Sequence, residues 1–90
     1  MYRVGDLVIS KSGRDRGRNF MVVELIDENY VSISDGSLRK LEKPKKKKIK
    51  HLEYLGKADE RILSKLEENK KITNSDLRKM LKSDSESIKK

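Results

Sequence analysis

Apolar and polar positions alternate through the first half of the chain and then change period. Leu7, Val8 and Ile9 mark a strand over Asp6–Ser10, and Phe20, Val22, Val23, Leu25 and Ile26 mark a longer one over Asn19–Ile26. Ser12–Gly17 between them is a turn by composition. Tyr30, Val31 and Ile33 predict a third strand over Tyr30–Ser34, reached through Asp27-Glu28-Asn29, with Asn29 able to take positive φ. Asp35-Gly36 signals another turn, Ser37–Leu41 reads as a fourth strand and Ile49–Leu55 as a fifth. Pro44 breaks the chain between them because it cannot donate to a ladder.

Five short, closely spaced strands predict a small bent barrel rather than an open sheet. Val4, Leu7, Ile9, Val22, Val23, Leu25, Val31, Ile33, Leu38, Leu41 and Leu52 are its candidate core, although strand neighbours must face opposite sides. After Gly56-Lys57 the spacing becomes helical. Ile62, Leu63 and Leu66 form one stripe and Leu77, Met80 and Leu81 a second, with Asn69-Lys70-Lys71 between them. Asp59 and Glu60 suit a helix start, and Thr73-Asn74-Ser75-Asp76 resembles a capping box with a shortened acid. Two short helices over 58–83 are expected to pack as a hairpin or against the barrel, with a protein-docking face as the other reading. The division is 1–56 barrel, 57–83 helical appendage and 84–90 frayed tail.

Only 33% of the 90 residues are apolar and 42% are charged, so the core is small. Without cysteine there is no disulfide or thiolate metal site. MYRVGD lacks the apolar run of a secretory signal, and no stretch approaches a membrane helix, so a cytoplasmic protein without a membrane partner is expected.

The net charge of +8 is concentrated. Segment 11–18 sets Lys11, Arg14, Arg16 and Arg18 against Asp15. Segment 39–50 sets Arg39, Lys40, Lys43, Lys45, Lys46, Lys47, Lys48 and Lys50 against Glu42, and the remainder is slightly acidic. Charge gathered in this way favours a polyanion. Gly13 and Gly17 allow a backbone to come close to a phosphate, or simply satisfy a turn. Arg14, Arg16 and Arg18 alternate, so an extended turn would present them on one side, where their planar forks suit phosphate. Asp15 orders the turn or neutralises an arginine. The lysines around Pro44 read as a basic loop that orders on binding and adds affinity without base discrimination, with a localisation tag as the alternative.

Aromatic residues are few. Phe20, beside Arg18, is the stacking candidate, with a core position as the competing reading, so backbone and shape recognition are expected over base reading. His51 has no partner at metal-ligand spacing, and neither a catalytic triad nor a phosphate loop is present. The chain therefore reads as a non-enzyme with no cofactor and no metal.

GDLVISKSGRDRGRNFMVVEL, Gly5–Leu25, resembles a KOW motif: apolar strand, Gly-basic-Asp-basic-Gly-basic turn, apolar strand. KOW motifs occur in large-subunit ribosomal proteins and in NusG- and Spt-type elongation factors, within SH3-like barrels. A short chain with an N-terminal KOW segment, a lysine-rich middle and a helical tail is similar to small bacterial KOW-domain proteins, which resemble ribosomal proteins fourteen, six and twenty-seven of archaea and eukaryotes. The resemblance covers residues 2–55 and departs at Asn19-Phe20, where many ribosomal members carry glycine. It implies an SH3-like barrel that binds structured RNA, in particular ribosomal RNA, with the helices available to ribosomal proteins. A protein-binding SH3-like module is the alternative, and duplex DNA remains open because the residues alone do not separate it from RNA.

Overall fold

The computed structural model describes the backbone of residues 1–89 and the side chains of residues 1–82. Five strands, β1 (Asp6–Ser10), β2 (Asn19–Leu25), β3 (Tyr30–Ser34), β4 (Lys45–Lys48) and β5 (Leu52–Lys57), form one antiparallel sheet in the order β4-β3-β2-β1-β5. A 3₁₀ turn at Ile49–His51 joins β4 to β5, and helices α1 (Glu60–Glu67) and α2 (Asn74–Lys89) follow. Among the described residues no ladder links β4 to β5, so the sheet is open where closure was expected. The tail assigned to 84–90 lies outside the residues whose side chains are described.

The sheet is covered on both faces. Val8, Phe20, Val22, Val31, Ile33 and Leu52 make one core. Leu7 and Met21, their neighbours along the strands, join Ala58, Ile62, Leu77, Met80 and Leu81 in a second core beneath the helices. The register pairs Leu7 with Met21 and Val8 with Phe20, so each cross-strand pair falls on one face. This explains why β1 and β2 read as continuous apolar runs: residues on both sides of the pleat are buried. The helical stripes pack on the sheet, so they are not an exposed docking face. Val4, Leu25 and Leu38, placed in the core by pattern, are 39%, 49% and 58% exposed.

The fourth strand lies elsewhere than its composition predicts. Over Ser37–Leu41, Asp35 Oδ1 accepts hydrogen bonds from the Ser37 and Arg39 amides, both at 2.9 Å, while the Asp35 and Gly36 amides donate to Arg39 O. A side chain that captures amides locally withdraws them from a ladder. The ladder partner of β3 is instead the lysine run, immediately after Pro44. Asn29 does not take positive φ; Asp27 Oδ1 caps that turn by accepting from the Asn29 and Tyr30 amides. The fifth strand begins at Leu52 rather than Ile49, because residues 49–51 form the 3₁₀ turn.

The helix starts follow the pattern. Asp59 caps α1 by accepting from the Ile62 amide, and Asn69 at φ 56° lies just past its end. At α2 the Asp76 amide donates to Thr73 Oγ1 and the Thr73 amide to Asp76 Oδ2, a reciprocal capping box. Lys65 Nζ reaches the same Asp76 oxygen at 3.0 Å and ties the two helices together.

Candidate nucleic-acid interface

The glycine-arginine segment is folded, not extended. The Ser10 amide donates to Arg18 O and the Gly17 amide to Ser10 O, which closes the β1–β2 hairpin. Within it the Arg16 amide donates to Gly13 O and the Arg18 amide to Asp15 O, two successive β-turns. Gly13 and Gly17 take φ of 78° and 85°, values that disfavour any residue with a Cβ. The alternation expected to align the three arginines therefore does not apply. Arg14, Arg16 and Arg18 are nonetheless all exposed, as are Lys11, Gly13 and Gly17. β2 starts at Asn19 without the extra glycine that many KOW proteins carry.

The lysine run is an edge strand, which corrects its reading as an unstructured loop. Lys45 and Lys47 pair in register with Ile33 and Val31, whose side chains enter the core. Their own side chains follow that face to the end of the sheet. There Lys47, only 9% exposed, donates from Nζ to Ser12 O at 3.1 Å, and the same nitrogen would lie 3.5 Å from a Cβ placed on Gly13. The long aliphatic stem makes this burial tolerable because the charged end meets a carbonyl. Lys45 Nζ stands 3.6 Å from Asp15 Oδ2, and Arg39 Nη2 donates to that oxygen at 3.2 Å.

Asp15 is thus the pivot of the site. Its side chain is 5% exposed and holds one cation from the 35–42 loop and one from β4. Its carboxylate reaches out of the turn to these distant cations, while its backbone carbonyl accepts the Arg18 amide within it. Three segments distant in sequence meet at this carboxylate: the arginine turn, the loop before Pro44 and the lysine strand. Arg39 and Lys45 are thereby held beside the arginine turn. Arg39 and Lys45 are partly buried, and the arginine turn is open to solvent.

Lys46 and Lys48 lie on the other face of β4. Their ammonium groups stand 4.6 and 5.9 Å from the centroid of the Tyr30 ring, which organises both as cation–π partners. Tyr30 was legible as a strand residue only; its role as a platform depends on the β3–β4 register. Lys40 and Lys43 are exposed in the loop before β4, and Lys50 is exposed in the 3₁₀ turn. His51 closes that turn, where its carbonyl accepts from the Lys11 amide at 2.8 Å. Phe20 is fully buried in the core, so its ring is unavailable to a base.

The loop before β4 is itself anchored. Asn74 at the start of α2 accepts from the Leu41 amide and donates to Glu42, and that hydrogen bond is the main influence holding the Glu42 carboxyl below its ordinary pKa. Among the described residues no cluster of His, Cys, Asp or Glu could hold a metal ion, and no helix is long and apolar enough to cross a membrane.

No family model matches the chain. Three curated relatives carry the name large ribosomal subunit protein eL14. The protein of Desulfurococcus amylolyticus is 31% identical over 74 residues, which cover 73% of this chain and 77% of the relative. That of Hyperthermus butylicus is 34% identical over 73 residues, covering 72% and 74%. That of Aeropyrum pernix is 32% identical over 73 residues, covering 72% and 73%. These relatives carry the large-subunit half of the resemblance and not its bacterial half.

Proposed function

The chain belongs to the eL14 family of large ribosomal subunit proteins, and on that premise we propose that it is a non-enzymatic ribosomal RNA-binding protein of the large subunit, working in the cytoplasm. In this reading the turn over Lys11–Arg18, the loop over Arg39–Lys43 and the lysines of Lys45–Lys50 engage folded RNA, chiefly through its phosphates. One observation supports the proposal: the Asp15 carboxylate binds Arg39 and Lys45 together, which holds the loop before β4 and the start of the lysine strand beside the arginine turn. A surface fixed before contact loses little conformational freedom on binding. The division of labour follows from the chemistry. Arg14, Arg16 and Arg18 supply planar forks for phosphate, and the lysines supply point charges. With Phe20 in the core, sequence discrimination is left to the shape of the RNA.

The test is binding to purified large-subunit ribosomal RNA at salt concentrations from about 50 to 200 mM. Engagement of about four to six phosphates gives log K a slope of roughly −3 to −5 against log salt. Arg14→Ala/Arg16→Ala/Arg18→Ala flattens that slope while the unfolding midpoint stays near that of the parent, because the three side chains are exposed. A flat response in the parent protein removes the mechanism. A chain that ignores RNA but retains a single polypeptide through purification is a protein-docking module instead.

A further inference from the structure

The arginine turn has a neighbour that lies outside the KOW-like segment. A cleft of about 440 Å³ opens between the end of that turn and α2, lined by Gly17, Arg18, Asp35, Ser37, Arg78 and Lys82 among others. Three of these six are cations, and Arg18, Arg78 and Lys82 are all exposed. The acid among them, Asp35, is 8% exposed and its Oδ1 already accepts from two backbone amides. At Gly17 no atom stands within 4 Å of where a Cβ would be, so the backbone faces open space.

The wall formed by α2 is fixed in place. Arg78 Nη1 donates to Gly36 O, Asn74 Oδ1 accepts from the Leu41 amide at 2.8 Å, and Gly36 packs so closely on Asn74 that no side chain fits between them. The loop held in this way is the one whose Arg39 grips Asp15 in the arginine turn. A continuous chain of contacts, α2 to loop to turn, therefore sets the helix beside the arginines.

We propose that this cleft is a second phosphate-binding site, in which Arg18, Arg78 and Lys82 hold the backbone of an RNA strand passing from the arginine turn onto α2. The proposal rests on the RNA-binding reading above and extends it to the helix. It makes α2 part of the interface as well as a cover for the sheet. The occupant follows from charge: a concave site with three cations and one internally engaged acid suits a phosphodiester chain better than an apolar or cationic segment.

The experiment measures salt-dependent binding of the full chain to purified large-subunit ribosomal RNA. Lys82→Ala removes a cation that makes no hydrogen bond among those described. It flattens the slope by about 0.7 to 0.9 and weakens binding about fivefold near 0.1 M salt. Arg78→Gln does the same, and Arg78→Lys restores the slope because the charge is kept. Lys70→Ala is the charge-matched control: Lys70 pairs with Glu68 at 3.0 Å, away from the cleft, and its loss leaves the slope unchanged. If Arg78→Gln unfolds the chain, Lys82→Ala against Lys70→Ala decides alone. Slopes unmoved by Lys82→Ala overturn the second site, and if Arg14→Ala/Arg16→Ala still flattens the slope the RNA-binding reading stands. If that pair also has no effect, the reading itself fails.

Discussion

Asp15 would be expected to weaken a phosphate-binding turn, since it places an anion where cations are wanted. Its position shows the opposite role: nearly buried, it draws Arg39 and Lys45 to the turn. Asp15→Asn adds net positive charge, and long-range electrostatics alone would tighten RNA binding. The expected result is weaker binding, together with a loss of about 1.5–3 kcal/mol of stability as charge-assisted bonds are removed, read by RNA titration and thermal unfolding. A second contrast separates two glycines with similar φ. Gly36→Ala places a Cβ 2.3 Å from Asn74 O, whereas Gly17→Ala meets nothing within 4 Å. Gly17→Ala should cost about 1–2 kcal/mol from backbone strain alone. Gly36→Ala should cost clearly more, because α2 must move, and thermal melts of the two variants should differ by several degrees. The turn glycines were legible because local spacing announces them, whereas the partners of Asp15, Arg39 and Lys45, come from far along the chain. Lys47 and Phe20 were not legible, because their burial depends on which face of the sheet each enters, and that is set by partners far along the chain.

At the scale of elements, caps were readable and edge strands were not. Thr73 and Asp76 sit three residues apart before an apolar stripe, a spacing that physically requires nothing beyond itself. The lysine strand inverts the usual composition of a β-strand, and only the unclaimed edge of β3 makes it one. The Thr73 amide first, and then Lys65, hold the Asp76 carboxyl below its ordinary pKa. The folded state therefore favours the carboxylate, and its contribution is complete above the unfolded pKa of about 3.9 and disappears as pH falls through the lower folded value. Asp76→Asn should be less stable than the parent at pH 7, with the gap closing below about pH 4, as measured by urea midpoints at both pH values. Thr73→Ala should cost about 1 kcal/mol through loss of the cap.

In the whole molecule, the helices are a second half of the core rather than an attachment. Leu77 is fully buried against the face of the sheet that carries Leu7 and Met21. Leu77→Ala should cost about 2–5 kcal/mol. At about 4–8 °C per kcal/mol for a domain of this size, it should lower a single melting transition by about 8 °C or more. Two separate transitions would show that sheet and helices unfold independently. The helical stripes were visible in the sequence, but their partner was not: two buried faces on one sheet look the same in sequence as strands of a closed barrel.

The free rim of β4 has a consequence for handling the protein. Among the described residues the outer edge of β4 is unpaired, which invites a second copy to zip onto it; Lys46 and Lys48 turn outward there, while Lys45 and Lys47 turn to the core side. Two such rims brought into register would place like charges well inside the ~10 Å screening distance of 0.1 M salt. Lys46 and Lys48, also proposed to hold RNA, should therefore disfavour edge-to-edge association of the unbound chain, and higher salt should weaken that effect.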